Sequence, residues 1–293
     1  MTAVATRVVS AGRRQRSSRR LLVELARYTV LTAVALLWLI PFLWIIITSL
    51  KPLEQVFARP PKWIPEPILW RNYIDALTNP GFNFPRLLWN SVFYSGLSTI
   101  GIAASCALVA YGFARMRFWG RDFWFLVMLA TMMLPGVVTM IPTYVLFRVI
   151  GWVGGYAPLI VPSFFGYAFY IFLLRQFFLN LPWELTESAK VDGAGDLRIF
   201  LSIMLPLVRP ALMVTVVFNF LGCWNDFMGP LIYLSDSSKF PLSLGLYAFQ
   251  TKYQRAWNLM MAASLVVTIP MMILFFAAQR QFIEGITITG LKG

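Results

Sequence analysis

Among the side chains that most often do acid–base, nucleophilic or metal chemistry, these 293 residues hold twelve carboxylates, two cysteines and no histidine. The missing histidine removes the commonest proton shuttle and metal ligand, and no acidic cluster replaces it, so no metal site is expected. Cys106 and Cys223 both lie in long oily runs, where a thiol behaves as a small apolar group and implies no disulfide. There is no Gly-x-x-x-x-Gly-Lys-[Ser/Thr] loop, so the chain cannot cradle nucleotide phosphates by that route. Nor can a nucleophile, a base and an orienting group be assembled near one membrane face. Two polar stretches remain. CWNDFMGP places Trp224, Asn225 and Asp226 in an apolar run, five to seven residues after Asn219. An intramembrane carboxylate normally faces protein or water, which makes these four residues candidates for lining a solute path; alternatively, Asp226 braces a kink before Gly229 and Pro230. The second stretch, ESAKVDGAGDLRIFLSIMLP at 187–206, keeps four charged side chains in its first half.

The elements that carry these stretches follow from composition. Of the residues, 59% are hydrophobic and 13% charged, and the mean hydropathy is +0.69. That is too apolar for one soluble core. A hydrocarbon layer about 30 Å thick needs roughly 20 apolar residues per spanning helix, and six runs qualify: 27–50, 88–113, 123–147, 156–180, 210–234 and 259–282. Irregular backbone facing lipid is excluded by its unsatisfied amides, so the fold class is an all-α integral membrane protein with six transmembrane helices. Pro41, Pro135, Pro142, Pro158, Pro162 and Pro270 fall within the runs and predict kinks. In the third run, MLPGVVTMIP puts two prolines and a glycine within ten residues. Ser91, Ser95, Ser98, Thr99, Gly101 and Ser105 recur at helical spacing in the second, the pattern of a close helix–helix contact rather than a pore lining.

Six spans put both ends on one side. With the N-terminus inside, 16 of the 25 basic residues fall on inside segments, so the positive-inside rule places both termini in the cytoplasm and 27–293 as one six-helix domain behind a basic cytoplasmic tail, 1–26. RRQRSSRR imitates a secretory or twin-arginine signal, but the apolar run after it is about twice a signal's length and lacks a small-x-small cleavage site. Arginines beside a first span orient it against anionic lipid, and no nucleic-acid partner is expected. On the outside, the proline-rich segment 51–86 cannot be one helix, and WRNYIDAL predicts a short one.

The polar stretch 187–206 then falls in the longest cytoplasmic loop, 181–209. Pro182 opens a first helix with Glu184 and Glu187 one turn apart near its positively polarised start. Asp192, Gly193, Ala194 and Gly195 make a turn in which Gly193 takes the left-handed conformation. Asp196 caps a second helix, on which Leu197, Phe200, Leu201 and Met204 form one apolar stripe. Pro206 and Pro210 set the exit into the fifth span. The product is an amphipathic knob of the kind that docks into a groove on a partner.

The spacing Glu187-x-Ala189, three residues, Gly193, nine residues, Ile203-x-Leu205-Pro206 resembles the EAA signature of permease subunits of binding-protein-dependent ABC importers. Ser188 stands where that family usually has alanine. AYGFARMRFWGRD, IPTYVLFRVIGW, FLLRQFF, CWNDFMGPLI and QFIEGITITGLKG are similar to segments of its carbohydrate branch, in particular the six-span subunit of maltose permeases, from about Asn90 to Gly293. The resemblance implies a type I importer architecture in a bacterial or archaeal inner membrane. It implies that Glu184, Glu187, Ser188, Ala189, Asp192, Gly193, Ala194, Ile203, Leu205 and Pro206 couple to an ATPase. It further implies two ATP-binding subunits that use ATP and magnesium, a second related permease, an extracytoplasmic solute-binding protein and a carbohydrate substrate, with no cofactor on this chain. The terminal ITITGLKG would also reach the ATPase pair. Trp224, Asn225 and Asp226 are the residue types that grip sugars. The rival reading, a secondary transporter driven by an ion gradient, predicts paired acidic or histidine residues in mid-membrane and an internal duplication, and the sequence has neither.

Overall fold

The computed structural model describes the backbone of residues 2–79, 81–252 and 256–290, and side chains within 23–79, 81–247, 249 and 256–279. Most of the expected basic tail and all of the C-terminal segment ITITGLKG lie outside the described side chains. The described chain is helical, without strands: α1 (Thr2–Ser49), α2 (Leu53–Val56), α3 (Arg71–Leu77), α4 (Phe84–Arg115), α5 (Arg121–Thr131), α6 (Gly136–Val149), α7 (Ala157–Ile160) continued by a 3₁₀ turn (Val161–Phe165), α8 (Ala168–Leu179), α9 (Glu184–Val191), α10 (Asp196–Ile199) continued by a π turn (Phe200–Met204), α11 (Leu205–Leu207), α12 (Arg209–Asn225), α13 (Met228–Tyr233), α14 (Leu242–Lys252) and α15 (Trp257–Gly290).

Four stretches, Val23–Ser49, Phe84–Arg115, Ala157–Leu179 and Trp257–Gln279, are long and apolar enough to cross a bilayer singly, and two bent pairs bring the number to six. The helices run through Pro41, Pro142 and Pro270, but Pro135 separates α5 from α6 at a 98° bend. Its missing N–H and its restraint on Leu134 end the first helix there. Within the expected fifth span over 210–234, α12 stops at Asn225, where Asp226 turns to extended backbone, φ −64° and ψ 117°, and α13 follows from Met228. Seventeen residues at about 1.5 Å each give about 25 Å, short of the hydrocarbon thickness, so the fifth crossing is not one helix.

α4 is the hub, packed against α8, α12, α14 and the α7 turn. Its small polar residues do the docking. The Ser98 and Ser105 hydroxyls donate to the carbonyls of Leu159 (3.2 Å) and Ser163 (3.0 Å); Ser91 Oγ accepts the Leu242 N–H (2.7 Å); and Thr99 Oγ1 accepts from the Asn219 amide (3.1 Å). Two apolar cores flank this helix. One joins Cys106, Ala110, Tyr111 and Ala114 to Leu174, Phe178 and the 187–206 stretch; the other joins Leu87 to Ala76, Trp224, Leu242 and Ala262 at the opposite end. WRNYIDAL forms α3 as expected, and its Asn72 amide donates to the carbonyls of Ser49 (2.8 Å) and Lys51 (3.0 Å), tying the outer segment to the end of α1. The Lys51 ammonium, fully buried, lies over the Trp44 ring at 4.3 Å.

Close approach is needed at Gly101, where an added Cβ would stand 2.8 Å from the Phe164 ring, whereas at Gly96 on the same helix it meets nothing within 4 Å. Gly101→Val is therefore expected to lower the thermal unfolding midpoint of the detergent-solubilised chain, through an overpacking penalty of about 1–3 kcal/mol. Gly96→Ala should leave the midpoint unchanged or raise it, since alanine favours a helix interior by roughly 1 kcal/mol. Circular dichroism melts of the two variants check the pair.

Candidate functional site

The knob begins where α8 ends. Phe178 lies in the last turn of α8, where carbonyls have no intrahelical donor; its carbonyl accepts the Leu181 N–H (3.3 Å), and a side chain from another helix adds further donors. Arg115, the last residue of α4 and only 7% exposed, donates from Nε (3.1 Å) and Nη2 (2.6 Å) to Phe178 O. The same Nη2 reaches Leu181 O (2.5 Å), and Nη1 reaches Pro182 O (3.4 Å). The guanidinium face stacks on Trp183 at 4.6 Å. Arg115 thus holds the chain entering α9 by charge-assisted bonds in several directions.

Two residues after Pro182, α9 starts with Glu184 and Glu187 in its first turn, where the helix dipole favours carboxylates. Both are exposed and make no ion pair or side-chain hydrogen bond among the described residues. Thr186 and Ala189 point inward. The helix closes in a Schellman motif: Ala194 N–H donates to Ala189 O (2.9 Å) and Gly193 N–H to Lys190 O (3.0 Å), with Gly193 at φ +77°. Lys190 Nζ and Asp196 Oδ1 pair across the turn at 3.1 Å.

Two expectations for the second helix are corrected. Asp196 is not a side-chain cap; Gly195 occupies the N-cap, and the Asp196 carboxylate is turned to Lys190 instead. The expected stripe of Leu197, Phe200, Leu201 and Met204 is split. Phe200 and Met204 are buried together with Ile199, while Leu197 and Leu201 are 65% and 53% exposed. The cause is the π turn at Phe200–Met204, just before Pro206, whose ring cannot offer an N–H to the preceding turn. The wider turn keeps Phe200, Met204 and Val208 on one face and rolls Leu197 and Leu201 outward. Ile203 and Leu205 are half-buried, and Ser188, Asp192 and Pro206 are exposed. A cavity of about 340 Å³ lies between α4 and α9, lined by Arg115, Arg117, Trp183, Thr186, Glu187 and Lys190 among others.

At the far end of α4, three of the four path candidates are turned into the chain. Asp226 accepts from the Tyr94 hydroxyl (2.8 Å) and the Gly229 N–H (3.0 Å), and its backbone carbonyl accepts from Ser243 Oγ (2.6 Å), so it holds the break after α12. Asn219 is bonded to Thr99, and Trp224 is buried and stacked on Phe220 at 5.5 Å. Asn225 is exposed, its amide on Leu221 O. The sequence reading missed Tyr94 and Arg115; the latter stood in AYGFARMRFWGRD, where it carried the resemblance and counted among the inside basic residues but was given no structural role.

Residues 99–287 match the family described as binding-protein-dependent transport system inner membrane component. The chain is 32% identical over 266 residues to an arabinooligosaccharide transport system permease protein of Halalkalibacterium halodurans, covering 89% of this chain and 93% of that one. It is 30% identical over 267 residues to a trehalose/maltose transport system permease protein of Thermococcus litoralis, covering 89% and 94%. A chain in the crystal structure of a bacterial ABC transporter that imports the acidic polysaccharide alginate superposes with a TM-score of 0.77 at 22% identity, over 88% of this chain and 96% of that chain.

Gly193→Val forces a β-branched side chain into left-handed backbone, at a cost of about 1–2 kcal/mol. Tryptic cleavage after Lys190 or Arg198 in the detergent-extracted chain should quicken roughly tenfold as the turn opens more often. Gly193→Asn, a residue that tolerates this conformation, should cleave close to the wild-type rate.

Proposed function

The chain belongs to the binding-protein-dependent transport system inner membrane components, and from that premise we propose that it forms half of the path of an ATP-driven importer for a carbohydrate. It is a multi-pass membrane subunit of an ABC importer, a transporter component and not an enzyme. The sugar is assigned from relatives whose names carry arabinooligosaccharides, trehalose or maltose, and lactose. The observation that carries the mechanism is a rigid knob whose carboxylates, Glu184 and Glu187, are left free on a chain that has no phosphate loop of its own.

On this reading the knob lies in the cytoplasm with both termini. Two partner ATPases bind and hydrolyse magnesium–ATP, and the knob sits in a groove of one of them through Glu184, Glu187, Ser188 and the Asp192–Ala194 turn. Ala189, Ile203, Leu205 and Pro206 hold its shape from behind. Closure of the ATPase pair moves the knob and alternates access to a path at the interface with a second, related permease, and an extracytoplasmic solute-binding protein delivers the sugar. Asp226 shapes that path indirectly by fixing the break after α12, Asn219 does so by tying α12 to α4, and Trp224 by packing on Phe220, while Asn225 is the exposed one of the four. An ion-driven cycle would need paired titratable groups along the spans, and the carboxylate of Asp226 is instead committed to Tyr94 and Gly229.

Extraction of the tagged chain from its native membrane in mild detergent, with mass spectrometry of what co-purifies, tests this reading. The wild type should bring down an ATPase and a second permease. Glu187→Arg should lose the ATPase about tenfold or more, as expected for a charge reversed at an interface, and keep the permease. A chain that purifies alone, or a variant that keeps its ATPase, would count against the docking role.

A further inference from the structure

The knob is fastened to the spans in two physically different ways. One is apolar. Ala189, Ile199, Phe200 and Met204 share a core with Tyr111 and Ala114 of α4 and with Leu174 and Phe178 of α8; Tyr111 meets the rings of Phe178 and Phe200 at 5.8 and 5.1 Å. Contact of this kind is non-directional: it opposes separation but lets helices slide by small amounts. The other is Arg115. Its four hydrogen bonds run to three carbonyls, and its face lies on Trp183. Together these fix the guanidinium plane, so α4 and the 178–183 stretch cannot shift against each other without breaking them. No other side chain of α4 hydrogen-bonds to residues 178–191 among the described residues; Arg175 Nε of α8 donates to Phe113 O of α4 (3.4 Å), a longer single bond that does not reach the chain entering the knob.

We propose that Arg115 is the positioning residue that makes the end of α4 and the entry to the knob one rigid body, so that displacement of α9 is passed to α4 and not lost as shear between α4 and α8. The inference rests on the proposed docking of the knob to an ATPase. Because α4 also packs on α12, α14 and the α7 turn, motion delivered at Arg115 reaches both apolar cores. A merely structural cap on α8 would need only one donor at Phe178 O. Here the fork reaches past the helix to Leu181 and Pro182, on the strand of chain that leads to Glu184. Lysine cannot reproduce this: its ammonium is a compact charge on a flexible stem, with neither a planar fork nor a stacking face.

The test uses the complex from the native membrane, with Arg115→Lys and Arg115→Gln replacing the wild-type chain. Three quantities are read: ATPase recovered per tagged chain, ATP hydrolysed per complex, and uptake of the carbohydrate whose transport the wild-type chain restores to a deletion strain. Both variants should retain the ATPase and hydrolyse ATP, while uptake per ATP falls about tenfold, within the usual range of coupling between sites. Should Arg115→Gln fail to assemble, Arg115→Lys decides alone. A cap with no part in transmission would lower the amount of complex and leave uptake per ATP at the wild-type value, and that result overturns the proposal. Absence of an ATPase from the wild-type preparation overturns the docking reading itself and this inference with it.

Discussion

A backbone carbonyl freed inside an apolar phase must find a donor, and much of this molecule is arranged around that need. Several places where a helix stops or breaks have a polar side chain brought to them from elsewhere. Arg115 serves the end of α8 and the chain beyond it. Ser98 and Ser105 serve the irregular turns of α7. Asn90 donates to the carbonyls of Ser238 and Phe240 in the outer loop (2.9 Å each). At the break after α12 the roles reverse, and the carboxylate of Asp226 accepts the orphan N–H of Gly229. All but the last come from α4, which explains why one long helix carries so many small hydroxyls and amides on a face that is otherwise closed to water.

That arrangement sorts the molecule into stiff and compliant regions. The knob is stiff: a Schellman turn closes α9, the Lys190–Asp196 pair spans the turn, and Arg115 ties its entry to α4. The surface ion pair contributes little on its own, since both partners are about half exposed; the backbone motif and the buried guanidinium carry the shape. Compliance lies in the breaks. α5 and α6 meet at 98°, and the loop helices meet α12 at 79°. α6 presents Val137, Val138, Ile141 and Val149 at 65–79% exposure, with Phe147 its one buried side chain among the described residues. A helix so oily and so little packed within its own chain needs lipid or another subunit to cover it.

What could be read from sequence follows from the range of the interactions involved. The six apolar runs, the helix break at Pro135 and the left-handed turn at Gly193 are set by residues within a few positions of one another, so their signals survive without a fold. Arg115 is different. Its acceptors lie 63 to 67 residues along the chain, and no local pattern distinguishes a guanidinium that caps a distant helix from one that orients a span. The fate of Asp226 was open for the same reason: Tyr94, 132 residues away, is its partner. The misplaced stripe at Leu197 and Leu201 was a failure of period. Counting 3.6 residues per turn assumes an α-helix, and Pro206 had already replaced one turn with a wider one.

The same long-range bonds explain why polar groups are tolerated on α4 at all. A hydroxyl or guanidinium left alone in hydrocarbon is destabilising, and the helix that carried it would insert poorly. Once α7, α8 and α12 are in place, Ser98, Ser105 and Arg115 meet backbone carbonyls and Thr99 meets the Asn219 amide, so most of these groups are paired, although the buried Ser95 hydroxyl has no partner among the described residues. In each such pair two penalties cancel in one contact. The contact is then hard to break, because breaking it restores both penalties at once. A chain with no energy source of its own needs joints of this kind wherever force enters. Apolar packing alone would let a small push dissipate as sliding, whereas a directional bond between two groups that cannot turn to water transmits it. Placing that bond at the root of the polar knob, and leaving the bends near proline, lets one sequence be rigid where it is pushed and yielding where it must open.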